Sequence, residues 1–150
     1  MDSLWVVLRK AFAIDPGVLH RFDMSSPLAL IFYESLLIGN QLMNRLQDLG
    51  YRVVVVSDLT MLTGQAAQSR PLVFVAELGA MTERVCAAVH SLRAAPETRH
   101  VPILGLLKTT DTKEGEALTL AAQQAGFTLL AREHGFLAQL PQLLEQVLEI

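Results

Sequence analysis

Five short apolar runs alternate with longer amphipathic stretches along this chain. The runs are residues 28–33, 52–56, 72–76, 101–107 and 127–131. Each run is too short for a buried helix and stays apolar at successive positions. This pattern is typical of strands that are covered on both faces in a parallel sheet. We therefore predict a strand at each of the five positions.

The stretches between the runs have helical spacing. Gly50 follows the first stretch, where a left-handed helix cap is favoured. Asp111 and Glu114 have the spacing of a capping box. Pro141 fits the last helix only if it lies in the first turn. Strand and helix alternate five times, which predicts an open α/β sandwich with right-handed crossovers. The predicted helices are residues 37–49, 59–68, 82–94, 111–125 and 137–149.

The first 27 residues stand outside this alternation. Leu4, Trp5, Leu8, Ala11 and Phe12 share one face of a predicted helix. We therefore expect a helical extension over residues 1–27, followed by a domain over residues 28–150. The extra N-terminal helix either folds back on its own domain or contacts a second copy, and the sequence leaves both open.

Composition narrows the class of protein. Apolar residues make up 51% of the 150 residues, which excludes a disordered chain. Charged residues make up only 18%, and the net charge is −3 without a basic tract, so we expect no nucleic-acid partner. The single cysteine, Cys86, excludes an internal disulfide. No membrane span or signal-peptide pattern is visible, so we expect a cytoplasmic protein without a membrane partner.

Polar residues that follow the predicted strands are the candidates for a functional site, because ligands of open parallel sheets bind at the carboxyl ends of the strands. Tyr33 and Glu34 follow the first strand, Glu77 the third, Lys108 the fourth, and Arg132 and Glu133 the fifth. Neighbouring carboxylates repel each other unless a cation joins them, and Arg132 is a candidate for that cation. Taken singly, Glu34 and Glu77 are each explained more simply as a solvated loop residue at the end of a strand.

Three stretches resemble the receiver domain of bacterial two-component response regulators. They are Leu46–Val53, Leu92–Ile103 and Ala121–Leu130. The resemblance covers residues 28–150. It implies a flavodoxin-like fold, with a doubly wound five-stranded parallel sheet of order 2-1-3-4-5.

The resemblance also implies a chemistry that this chain matches poorly. In the family, two acids at the first strand hold magnesium, and an aspartate at the third accepts a phosphoryl group. A hydroxyl residue ends the fourth strand, and a lysine ends the fifth. The matching positions form a degenerate pocket, which we predict to consist of Tyr33, Glu34, Glu77, Leu107, Lys108 and Arg132.

These departures favour a pseudo-receiver, a non-enzymatic module that needs no cofactor. Glu77 is one methylene longer than aspartate, so its carboxylate would intrude on the phosphoryl position. Leu107 cannot donate a hydrogen bond, and the planar fork of Arg132 does not replace a lysine ammonium. We expect Glu77 paired with Arg132 to hold the domain in one state. The partner is then another protein or a second copy of this chain.

Two contact surfaces are candidates. One is the N-terminal helix. The other is the face of the fourth helix, fifth strand and fifth helix, through which family members often pair. On that face we place Leu118, Ala122, Leu137 and Leu144.

Two alternatives stay open. The first is a working phosphoacceptor that uses Glu77 or Asp111, with magnesium on Glu34 and Glu77 and the hydroxyl from Thr109 or Thr110. The second is a small α/β enzyme or ligand-binding protein that uses the pocket around Tyr33, Glu34, Glu77 and Arg132. The second requires a concave pocket of roughly 300 Å³ or more over the strand ends.

Overall fold

A five-stranded, all-parallel sheet forms the centre of the computed structural model, which describes residues 26–108 and 113–149. The strand order is β2-β1-β3-β4-β5, as predicted. The strands are β1 (Leu28–Phe32), β2 (Arg52–Val55), β3 (Val73–Leu78), β4 (Ile103–Leu107) and β5 (Leu129–Arg132).

Helices connect the strands. They are α1 (Leu36–Asp48), α2 (Leu62–Ser69, after a 3-10 turn at Leu59–Met61), α3 (Thr82–Ala94), α4 (Lys113–Ala125) and α5 (Phe136–Glu149). Ser35 caps α1, because its side chain accepts a hydrogen bond from the Ile38 N–H at 3.5 Å. Gly50 follows α1 with φ +94°, which is the left-handed conformation that the sequence predicts there.

Two core layers lie on opposite faces of the sheet. Successive strand residues point to opposite faces, so each strand contributes to both layers. One layer packs against α1 and α5 and contains Ile31, Val75 and Leu106. The other packs against α2, α3 and α4 and contains Phe32, Ala76 and Leu107. This doubly wound arrangement confirms the predicted fold class.

Pro141 lies five residues after the start of α5, so the expectation that it falls in the first turn is wrong. A proline has no N–H to donate to the carbonyl four residues earlier, which here is that of Leu137. The Arg45 side chain of α1 donates from Nε to this carbonyl at 3.4 Å. The contact between α1 and α5 therefore supplies a partner for the carbonyl oxygen that the proline leaves without one.

Part of the predicted contact face lies inside the domain. Ala122 is fully buried and Leu144 is 4% exposed, and Leu118 and Leu137 pack against the two core layers. These four side chains face inward because they form the apolar stripes that hold α4 and α5 on the sheet. The exposed leucine of α4 is Leu120.

Some predictions fall outside the described residues. They concern the N-terminal helix and the residues Thr109, Thr110 and Asp111. Within the described ranges, none of the helices has the length and apolar character needed to cross a membrane.

Candidate functional site

Four polar side chains lie at the carboxyl edge of the sheet, on the face that α1 and α5 cover. Tyr33, Glu77, Lys108 and Glu133 each lie two residues beyond a core residue of that face, namely Ile31, Val75, Leu106 and Ala131. The period of two along a strand places all four on the same side. The sheet thus brings two acids and one lysine together between the starts of α1 and α5.

Glu77 is the most buried of these groups. It lies within β3 rather than after it, and its side chain is 0% exposed. Its Oε1 accepts hydrogen bonds from the backbone N–H groups of Glu34, at 2.7 Å, and Ser35, at 2.9 Å. Both donors lie just before the first turn of α1, where a negative charge also interacts favourably with the helix dipole. Glu77 is therefore a buried, anchored carboxylate and not a solvated loop acid.

Glu34 binds the backbone on the other side of the site. Its Oε1 accepts from the Ala80 N–H and its Oε2 from the Met81 N–H, both at 2.8 Å. A Cβ at Gly79 would lie 2.8 Å from Glu34 Oε1, so glycine there permits this close approach. The Glu34 carboxylate thus accepts hydrogen bonds from the two backbone N–H groups that precede α3.

Lys108 supplies the positive charge next to Glu77. Its Nζ lies 3.7 Å from Glu77 Oε2, and its side chain is 45% exposed. Arg132, the predicted partner, is an exposed residue that pairs in register with Leu107. Leu107 packs in the core on the α2–α4 face, so the alternation of β5 directs Glu133 rather than Arg132 to the face of Glu77. The cation that the structure places at Glu77 is Lys108.

Glu133 follows the fifth predicted strand but is not one of the six predicted pocket residues, and the structure places it in the site. Its Oε2 is buried without a hydrogen-bond partner, as is Glu77 Oε2. Burial and the negative charge of Glu77 raise the pKa of Glu133 to about 7, while Lys108 opposes the shift. The signal was present in the sequence: continuing the alternation of residues 129 and 131 leads to Glu133.

The other two predicted residues, Tyr33 and Leu107, pack into the domain. The Tyr33 ring packs against α1 at Gly39, where a Cβ would overlap the ring. Leu107 is 4% exposed and packs in the core on the α2–α4 face. Of the six predicted pocket residues, Glu34, Glu77 and Lys108 come together, and Tyr33 flanks them. Leu107 and Arg132 lie at alternate positions of their strands, which point to the opposite face of the sheet.

The residues present do not fit a magnesium ion. Magnesium requires near-octahedral oxygen coordination, with one or two carboxylates that have free lone pairs directed at the metal. Both oxygens of Glu34 and one oxygen of Glu77 are already engaged by backbone N–H groups. The Lys108 ammonium lies beside the remaining Glu77 oxygen. Among the described residues, no group of three or more histidine, cysteine or acidic side chains could hold a metal ion.

A shallow cavity of about 340 Å³ lies over the strand ends, between α1 and the start of α5. Lys108 and Glu133 line it together with Gln41 and His134, whereas Tyr33, Glu34, Glu77 and Arg132 do not. It reaches the size that a ligand-binding protein requires, but with a different lining from the one predicted. Two larger grooves, of about 530 and 640 Å³, lie elsewhere on the domain.

Solved structures of receiver domains are similar to this chain. Chemotaxis protein CheY4 of Vibrio cholerae is 22% identical, with a TM-score of 0.68 over 82% of this chain and 99% of that one. The receiver domain of a Pseudomonas aeruginosa sensor histidine kinase, with a magnesium ion in its active-site cleft, is 21% identical, with a TM-score of 0.69 over 84% and 100%. A CheY-like protein of the same organism, tadZ, is 19% identical, with a TM-score of 0.66 over 81% and 98%.

Sequence comparison finds no such relatives. No model of a known family matches the chain, and no curated protein does. The structural matches show that the chain has the fold of response regulator receiver domains, as the resemblance implies.

Proposed function

We propose that this chain is a signalling module with a receiver fold that acts by protein–protein contact, in a state set by its own side chains rather than by phosphorylation. The partner is another protein or a second copy of this chain. We place the module in the cytoplasm and assign it no enzymatic activity of its own.

The observation that carries this proposal is the anchoring of Glu77. The family's phosphoacceptor is a carboxylate at the end of the third strand, and Glu77 holds that position. An attacking oxygen must reach the donor phosphorus in line and within about an ångström of the right placement. Glu77 is wholly buried, one of its oxygens is bound by two backbone N–H groups, and the Lys108 ammonium lies 3.7 Å from the other.

The charged side chains of the site support the proposal that the domain keeps one conformation without phosphorylation. Glu34 supplies two oxygens to the backbone N–H groups before α3, and Lys108 neutralises part of the negative charge beside Glu77. A phosphoryl group would add about −1.5 to −2 charges next to three carboxylates and a single lysine. In the absence of a divalent ion the pocket resists that added charge.

We extend the proposal to magnesium and to the contact surface. We infer that the module works without magnesium, because both oxygens of Glu34 accept from backbone N–H groups and the Lys108 ammonium lies 3.7 Å from Glu77 Oε2. For partner contact we retain the face of α4, β5 and α5, now with the exposed residues Leu120 and Arg132 in place of the four inward-facing ones.

Phosphorylation from a small donor tests the proposal directly. The purified chain is incubated with acetyl phosphate and magnesium chloride, beside a receiver domain that is known to accept phosphate, and both are read by intact mass spectrometry. We expect the control to gain one phosphoryl group and this chain to gain none.

A stoichiometric adduct that is stable in acid and labile in base would contradict the proposal, because such lability is typical of an acyl phosphate. If the adduct disappears in Glu77→Gln, Glu77 is the acceptor and the chain is a working receiver. If it survives in that variant, Asp111 is the next residue to substitute.

A further inference from the structure

The groove of about 640 Å³ lies at the amino edge of the sheet, opposite the candidate site. It runs between the end of α2, the residues that precede β3 and β4, and the last turn of α5. Most of the side chains that line it are apolar, among them Pro71, Leu72, Pro102 and Leu148. We call it the amino-edge groove.

Two leucines of the amino-edge groove are exposed to solvent. Leu72 is 42% exposed and Leu148 is 37% exposed. Among the described residues that line the cavities of about 340 and 530 Å³, no leucine is comparably exposed. Single exposed leucines are common on protein surfaces, but an apolar groove that contains two of them is typical of a contact site. The amino-edge groove is therefore suited to an apolar occupant.

The N-terminal part of the chain joins the sheet beside this groove. β1 begins at Leu28, whose carbonyl accepts from the backbone N–H of Leu72 at 2.8 Å. Ser26, the first described residue, lies two residues before β1. Residues 1–25, which lie outside the described residues, are thus attached at the edge of the sheet that carries the groove.

We propose that residues 4–12 dock in the amino-edge groove of their own chain and pack their apolar face on Leu72 and Leu148. An apolar helix face of this kind requires a surface to cover it. The side chains that form the face are Leu4, Trp5, Leu8, Ala11 and Phe12. Docking at the amino edge is independent of the proposed function, which concerns the carboxyl edge of the sheet.

The covalent connection favours the chain's own segment over that of a second copy. Residues 13–25 separate the segment from Ser26. A stretch of this length spans up to about 45 Å when it is extended, so the groove is within reach. A tethered segment has an effective concentration on the order of millimolar, which exceeds that of a second copy in a micromolar solution. Docking within one chain therefore wins at such concentrations.

Charged side chains do not select the occupant. Arg70 and Glu97 both line the groove, so both signs of charge are present there. The segment contributes Arg9 and Lys10. The contact therefore depends on apolar burial, and we expect it to persist in about 1 M sodium chloride, which screens interactions between exposed charges.

Trp5 is the only tryptophan of the chain, so its fluorescence reports on this segment alone. In the native full-length chain we expect its emission to lie to the blue of the emission in urea, with weaker quenching by acrylamide. Leu72→Gln combined with Leu148→Gln makes the groove polar and should shift the emission to the red. The matched control is Leu37→Gln, at a leucine of α1 that is 66% exposed, and it should leave the emission unchanged.

NMR of the wild-type chain tests the same contact without a substitution. We expect nuclear Overhauser effects between the indole protons of Trp5 and the methyl groups of Leu72 and Leu148. An equimolar mixture of isotope-labelled and unlabelled chain then separates the two occupants, because an isotope-filtered spectrum contains only contacts between copies. We expect that spectrum to contain none of these effects.

Three results would overturn the proposal. The first is a Trp5 emission that is the same in the native and the urea-unfolded chain. The second is an emission that does not respond to the groove variant while its circular dichroism stays that of the wild type, or that moves to the red in salt. The third is a Trp5 contact found in the isotope-filtered spectrum, because the occupant would then be a second copy. None of these results concerns phosphorylation, so failure of docking is distinguishable from failure of the proposed function.

Discussion

Glu77 defines the site at the scale of single residues. The sequence predicts Glu77 just after the third strand, whereas the structure places it within β3. Its burial does not follow from sequence, because a strand-end acid is usually solvated. Burial depends on two backbone N–H groups from the β1–α1 junction, 42 and 43 residues away. Contacts at such separation cannot be deduced from local pattern.

Substitution of Glu77 separates anchoring from charge. Glu77→Ala leaves the Glu34 and Ser35 N–H groups without a partner, and we expect a loss of about 2–4 kcal/mol of unfolding free energy. Glu77→Gln keeps an acceptor oxygen and can donate to Glu133, so we expect less than half of that loss. Urea unfolding at pH 7 measures both. A Glu77→Ala variant within about 0.5 kcal/mol of the wild type would show that this carboxylate is not an anchor.

At the scale of elements, the predicted and the observed site residues differ at the ends of β4 and β5. Counting from Pro102 places Leu107 at the site, and counting along β5 places Arg132 there. Both are one residue short, and an offset of one residue moves a side chain to the opposite face of a sheet. The hydrophobic pattern shows which residues of each strand are buried. It does not show which residue after the last apolar position is the first to enter the site.

Arg93 holds together the elements that lead into those two strands. From the last turn of α3 it donates to the carbonyls of Arg99, Val101 and Gly126, at 2.6, 2.7 and 3.0 Å, and to Thr128 Oγ1 at 3.1 Å. Desolvation lowers the pKa of the guanidinium, which nevertheless stays protonated. Arg93 thus connects the residues before β4 with the residues before β5.

Removal of this connection should be costly. We expect Arg93→Ala to lose about 2–4 kcal/mol, since three backbone carbonyls and the Thr128 hydroxyl lose a charged donor together. Arg93→Lys should recover little of it, because a single ammonium cannot reproduce the fork. Exposed Arg99→Ala, six residues on, serves as the control and should stay within about 0.5 kcal/mol of the wild type. Full recovery in Arg93→Lys would contradict the role of the fork.

At the scale of the whole molecule, the sequence predicts the fold well. All five strands and their order follow from the apolar runs, the helical spacing and the resemblance, because burial on both faces leaves a strong signal. The signal is weakest at β2 and β5, the edges of the sheet, whose residues are only partly buried. The end of β5 also carries Arg132, one of the two misplaced site residues; the other, Leu107, ends the central strand β4.

The same contrast predicts the order of amide hydrogen exchange. The backbone amides of β1, β3 and β4, whose residues are all buried, should exchange only through global unfolding. The amides of β2 and β5 should exchange earlier, through openings that leave the centre of the sheet intact. Exchange followed by NMR at pH 6 distinguishes the two classes. Equal protection of the edge and central strands would contradict this division.

The central claim is that the site is filled by the protein's own carboxylates. The most direct measurement is a ¹H–¹⁵N NMR titration with beryllofluoride and magnesium, which together mimic a phosphorylated aspartate. The account predicts that the amide resonances of Glu34, Ser35, Ala80 and Met81 do not move, because Glu34 and Glu77 already accept from them. Saturable shifts of these four resonances would contradict it.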